Sequence, residues 1–230
     1  LRLLTFVYAV LRDYSPYYGD DARIISAANK LMNELQRVMT ERLGPDHPSV
    51  LVAQVNQVGG GHTSLSPQTT VEQFRAICDD LKRTYRRVVE VYGPVSRDGV
   101  GFLCNWGNLY LQVGDQEGAE KMFRTALKMA RALPLRESDE FLHNVVRNYC
   151  HSLWTRGAAR EAVPMLLWLR CQEGKLYGPK HHRTMSTTEM LLPMLICTEA
   201  APPPGVERPL ETACNLASIQ LAAYGSCNPD

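Results

Sequence analysis

Along most of this chain apolar residues return every three or four positions, and glycine and proline cut the runs that carry this period. Phe102 to Val113 sets Leu103, Trp106, Leu109 and Tyr110 on one face; Gly114 and Asp115 interrupt it; Ala119, Met122, Phe123, Ala126, Leu127 and Ala130 then form a second face. Two amphipathic helices joined by so short a break predict a helical hairpin. The next stretch repeats the arrangement, with Val145, Val146, Tyr149, Cys150 and Leu153, then Arg156-Gly157-Ala158, then Ala162, Leu166, Leu167 and Leu169.

A second pattern separates the hairpins. Leu43-Gly44-Pro45-Asp46-His47-Pro48, Tyr92-Gly93-Pro94, Tyr177-Gly178-Pro179-Lys180-His181 and Tyr224-Gly225 with Pro229-Asp230 are versions of one phrase. Glycine closes a helix by taking a left-handed conformation, and proline just beyond forbids continuation. Asp46 or Ser49 then caps the next helix. The glycines are 49, 85 and 47 residues apart, and 85 is about two units of 42 or 43, so one phrase is degenerate. Leu133-Pro134 followed by Ser138 and Asp139 supplies the missing break and two candidate N-caps. Longer breaks at Gly59-Gly60-Gly61 and at Ala200 to Gly205 account for the longer periods. The triple glycine lacks the following Lys and Ser/Thr of a phosphate-binding loop and reads as a loop.

With Leu103, Trp106, Gly107, Tyr110, Gly114, Ala119, Phe123 and Ala126 in order, the central unit resembles the tetratricopeptide repeat (TPR). The next unit resembles it through Val146, Cys150, Leu153, Gly157, Ala162 and Leu166. The period of about 42 and the phrase from Leu43 to Pro48 resemble the kinesin-light-chain variety. The expectation is therefore an all-α protein, an α-solenoid of stacked antiparallel hairpins in a TPR-like superhelix. It is expected as one array over 1–230, with hairpins 1–43, 47–92, 97–133, 138–177 and 181–224. Small residues such as Gly107, Ala119 and Ala126 let helices approach, while Trp106, Tyr110 and Phe123 fill the space between them. Since each hairpin needs a neighbour to bury its second face, the unfinished phrase at Tyr224 predicts that the native protein continues past Asp230 or that something covers the last hairpin.

The resemblance implies a concave groove lined by the first helix of each hairpin, which receives an extended peptide or a partner helix. Carried across by position, the groove residues are Asn108 and Gln112 in the central unit and Asn144, Arg147, Asn148 and His151 in the next. The last four recur at spacings of three and four and so share one stripe of one helix. Amides there suit a peptide backbone, and Arg147 offers a bidentate fork to a carboxylate. The alternative is that the stripe is only the solvated face of an amphipathic helix.

Charge and composition narrow the function further. Twenty-five Lys and Arg against 24 Asp and Glu leave +1, so no global field draws the chain to nucleic acid or an anionic membrane. The basic run Lys82-Arg83-Thr84-Tyr85-Arg86-Arg87 reads as a solvated face above inward-facing Leu81, Tyr85, Val88 and Val89, and no nucleic-acid partner is expected. No stretch has the roughly 18 apolar residues of a membrane span. The opening Leu1 to Leu11 reads as a buried helix, because no small-residue cleavage site follows it. A start at Leu1 in place of Met marks a fragment, a processed protein or the ordered part of a longer one. Seven widely spaced cysteines without a CxxC pair predict reduced thiols and an intracellular protein, cytoplasmic first and mitochondrial as the alternative. Cys171, His181 and His182 are too sparse for a metal site, and paired carboxylates such as Asp79-Asp80 and Asp139-Glu140 stand at helix starts or on charged faces. No catalytic residue, metal or cofactor is expected, and the chain is read as no enzyme.

The function expected is a protein–protein interaction scaffold or adaptor that binds a peptide or partner subunit through the groove. The alternatives are a structural subunit of a large assembly, mitochondrial or ciliary, and a regulatory repeat domain of a longer protein whose catalytic domain lies elsewhere.

Overall fold

A computed structural model of the chain describes residues 22–45, 47, 50, 51, 53, 70–199, 203, 205, 206 and 208–225, and all regular structure among them is helical. Its helices are α1 (Ala22–Leu43), α2 (Val71–Tyr92), α3 (Arg97–Gln112), α4 (Gln116–Ala132), α5 (Glu140–Thr155), α6 (Ala159–Tyr177), α7 (His182–Cys197) and α8 (Pro209–Gly225). The expected first helix over 1–11, the caps Asp46 and Ser49, and the triple-glycine loop lie outside the described residues. The chain divides into two compact units, Leu1–Gly114 and Asp115–Asp230, and the boundary falls at the Gly114-Asp115 break.

Capping side chains explain where the helices begin. Thr70 accepts from the Gln73 N–H at 3.2 Å while the Gln73 side chain accepts from the Thr70 N–H at 2.8 Å, a reciprocal capping box that starts α2. α3 starts at Arg97, five residues before the apolar run at Phe102, because the Ser96 hydroxyl accepts from the Gly99 N–H at 3.1 Å. Asp115 caps α4, accepting from Gly118 at 2.8 Å, and Asp139 caps α5, accepting from Phe141 at 2.9 Å. The degenerate break near residue 136 is therefore a real joint, and Asp139, not Ser138, is its cap.

Glycines end the helices at the joints, with one difference from expectation. Gly93 and Gly178 have φ of 85° and 92° with ψ of 168° and 164°. Positive φ is as expected, but the large ψ is extended and not left-handed helical, a region that belongs to glycine. Each glycine N–H still donates to the carbonyl four residues back, at 2.9 Å to Val89 and 3.1 Å to Gly174.

In the first unit α2 packs on α3 through aromatic rings. Tyr85 lies 5.6 Å from Phe102, Phe102 stands edge-on to Trp106 at 5.9 Å, and Trp106 stacks on Tyr110 at 6.2 Å. Trp106 and Tyr110 are thus core material here, as the repeat pattern implied. Leu81 and Val88 are buried beneath the basic run, whose Lys82 and Arg83 pair with Asp79 and Asp80 one turn back. Near the start of the unit, Leu35 packs against Met39, Val50 and Ala53.

In the second unit each helix packs on the next, α4 on α5, α5 on α6, α6 on α7 and α7 on α8. Ala119, Phe123, Ala126, Val146, Cys150, Leu153, Ala162, Leu166 and Leu169 are buried, so the apolar stripes read from the sequence form this core. Charges also lie inside it. Glu120 of α4 has 6% of its side chain exposed and joins Arg124 of its own helix to Arg156, whose Nε stands 2.6 Å from Glu120 Oε2.

Candidate functional site

The stripe read from the sequence is present on α5. Asn144 and His151 are exposed, and Arg147 and Asn148 are half-buried. On α3, in the first unit, Asn108 is half-buried and Gln112 exposed. The structure thus brings Asn144, Arg147, Asn148 and His151 together on one helix and sets Asn108 and Gln112 on another.

Their hydrogen bonding divides these residues into two kinds. Asn144 accepts from Arg183 Nη1 of α7 at 3.5 Å, and the other amino nitrogen of Arg183 pairs with Glu140, one turn before Asn144. Arg147 turns inward: its Nη2 donates to Glu173 Oε1 of α6 at 2.5 Å, and Nη1 is buried without a hydrogen-bond partner among the described residues. The open fork expected of Arg147 is therefore partly spent inside the protein. Asn108, Gln112, Asn148 and His151 have no side-chain partner among the described residues.

Behind the stripe lies a network that sequence reasoning missed. Glu173 has a fully buried carboxylate, and its second oxygen accepts from Thr187 Oγ1 of α7 at 2.6 Å. One carboxylate thereby ties α5, α6 and α7 together, with charge-assisted bonds to both of its oxygens. The sequence did carry a signal: Glu173 continues the apolar series Ala162, Leu166, Leu169 at helical spacing, where a charge demands a buried partner. Next to it, Arg170 Nε donates to Thr188 Oγ1 at 2.9 Å, and burial holds the Arg170 guanidinium below its ordinary pKa.

The joint between α6 and α7 is rigid for similar reasons. Thr184 Oγ1 donates to the Gly178 carbonyl at 2.9 Å, His181 caps α7 by accepting from the Arg183 N–H at 3.3 Å, and its ring stacks on Tyr177 at 4.6 Å. Arg183, which reaches α5, also lies 5.9 Å from the centre of the Tyr177 ring. Cys150, under the stripe, is a core residue whose thiol burial pushes up to about 12. Among the described residues no group of three or more His, Cys, Asp or Glu is placed to hold a metal ion, and no helix is long and apolar enough to cross a membrane.

Helices that pack in sequence, end at glycine joints and meet through small residues define the class: a TPR-like array of helical hairpins. Solved structures place it more narrowly. A point variant of the Podosopora anserina kinesin light chain with nearly identical TPR-like repeats superposes with a TM-score of 0.67 at 13% identity, over 97% of this chain and 95% of that one. The corresponding structure without that substitution gives 0.66 at 13% identity, over 99% and 97%. BtubC (BKLC) from P. vanneervenii gives 0.55 at 16% identity, over 90% and 88%. No family model and no curated protein matches the sequence. At these identities the likeness establishes the fold, which is the kinesin-light-chain-like repeat fold expected from the joints.

Proposed function

We propose that the chain is a protein-interaction scaffold or adaptor that receives a peptide or partner subunit along the polar stripe of its hairpins. The proposed contacts are Asn144, Arg147, Asn148 and His151 on α5 of the second unit and, taken by themselves, Asn108 and Gln112 on α3 of the first. One observation carries this reading: the Asn148 amide is half-buried and makes no hydrogen bond within the described residues, although Arg147 and Asn144 on either side are engaged. With solvent access and no partner among the described residues, its two donors and its acceptor are available to a peptide backbone. Arg147 serves as a positioning residue, held by Glu173. The TPR-like fold supports protein partners as the ligand class.

The test is co-purification from the native source of the wild-type chain and of an Asn148→Ala, His151→Ala double variant, both checked for equal helicity. Loss of the co-purifying proteins from the variant supports the stripe, and their full retention would exclude it. Arg147 is unsuited to this test, since its removal strands the buried Glu173.

A second reading, a structural subunit built permanently into a large assembly, is favoured by α8. Glu211 is the only charged residue of this 17-residue helix, and Leu210, Ile219 and Leu221 are 47%, 48% and 70% exposed. Helices apolar on both sides are usually covered. Size-exclusion of the protein from gentle lysates separates the two: a stoichiometric large complex supports the subunit, which suits a mitochondrial or ciliary assembly, and a monomer with substoichiometric partners supports the adaptor, which suits the cytoplasm.

A further inference from the structure

Leu142 and Val146 stand two positions out of step with Asn144 and Asn148, so they occupy the opposite side of α5 from the polar stripe. There they join Pro164, Met165 and Trp168 of α6, with Arg131 and Glu137, in lining a groove of about 380 Å3. That size is within the roughly 300–1,000 Å3 of ordinary ligand pockets. Val146 is buried, while Leu142, Pro164, Met165 and Trp168 are half-buried, so the walls keep apolar surface in contact with solvent.

The groove is built firmly. His143 is fully buried, stands edge-on to the Trp168 ring at 5.9 Å, and donates from Nε2 to the Glu137 carbonyl at 2.6 Å. One ring thereby fixes both the tryptophan wall and the α4–α5 joint, and a wall fixed before binding loses little entropy when it is occupied.

Two charged residues complete its lining. Arg131 and Glu137 line the same groove yet pair neither with each other nor with any other described residue. The Glu137 carboxylate only accepts a long bond from Gln172 at 3.4 Å. Both are exposed. An apolar trough bearing one open cation and one open anion complements a segment that carries the reverse pair around an apolar side chain.

We propose that this groove is a second docking site, distinct from the stripe, for a peptide segment that seats one large aliphatic or aromatic side chain against Trp168 and Met165. In that segment an acidic residue on one flank meets Arg131 and a basic residue on the other meets Glu137. Because the two sites lie on opposite sides of α5, both can be filled at once.

The test uses the full chain on an array of acetylated nine-residue peptides with a central Leu or Phe, flanked by Asp and Lys in both orders, by like charges, or by neutral residues. The expected result is a preference of about tenfold for one mixed order, inverted in the double variant Arg131→Glu, Glu137→Lys, and abolished by Trp168→Ala. Since Arg131 and Glu137 are exposed, their reversal tests the site even if Trp168→Ala impairs folding. Absence of binding, binding indifferent to charge order, a preference unchanged by the reversal, or sensitivity to Asn148→Arg in place of Trp168→Ala would overturn the proposal.

Discussion

At Glu173 a carboxylate with no solvent exposure is held by one arginine and one threonine from the two neighbouring helices. Deleting one member of such a pair strands the other charge, so Glu173→Ala is expected to destabilise the fold by about 3–5 kcal/mol in urea unfolding. Arg147→Met combined with Glu173→Met recovers most of that loss if the cost of desolvating the two charges outweighs their attraction. Cys150 gives a second residue-level expectation. Between the ordinary thiol value of 9.0 and about 12, the unfolded chain has released this proton and the folded chain has kept it. The unfolded state then binds fewer protons, and stability falls as pH rises through that window. In the native protein at neutral pH, iodoacetamide labelling mapped by mass spectrometry should find Cys171, Cys197 and Cys214 modified and Cys78, Cys104 and Cys150 spared, following their exposure. The stripe positions were picked out by the resemblance to TPR repeats, and helical spacing places the four of α5 on one side of that helix. The inward turn of Arg147 was not legible, because periodicity says which face a residue shares and not which neighbouring helix offers it a partner.

Helices and joints were the most legible features, since glycine, proline and capping side chains act through local backbone chemistry. Their contributions are correspondingly local. Asp139→Ala removes the acceptor for the Phe141 N–H and should cost about 1 kcal/mol. Gly178→Ala forces a side chain to φ of 92° and should cost about 1–3 kcal/mol, although a Cβ there meets no neighbour within 4 Å. Thermal denaturation of the two variants measures both losses. α3 begins at Arg97, ahead of the apolar period that opens at Phe102, because the Ser96 hydroxyl caps it by accepting from the Gly99 N–H.

For the whole molecule the repeat is visible in the amino-acid sequence itself, because the same joint phrase recurs and the TPR-like packing positions fall in order between its copies. The ligand is not, since a stripe of amides has the same spacing whether it faces water or a partner. The second groove escapes notice for a related reason: Leu142, Val146, Met165 and Trp168 look like ordinary core until the exposure they retain is known. Two binding faces on one hairpin would let this array bring two partners together, which is what a scaffold does beyond mere binding. Whether the polar stripe of α5 carries a partner is tested by photocrosslinking in the native cell, with a benzophenone amino acid placed at Asn148 or, for comparison, at exposed Lys128 of α4. Discrete crosslinked proteins are expected from position 148 and not from position 128; equal or absent crosslinking at the two positions would refute a partner on the stripe.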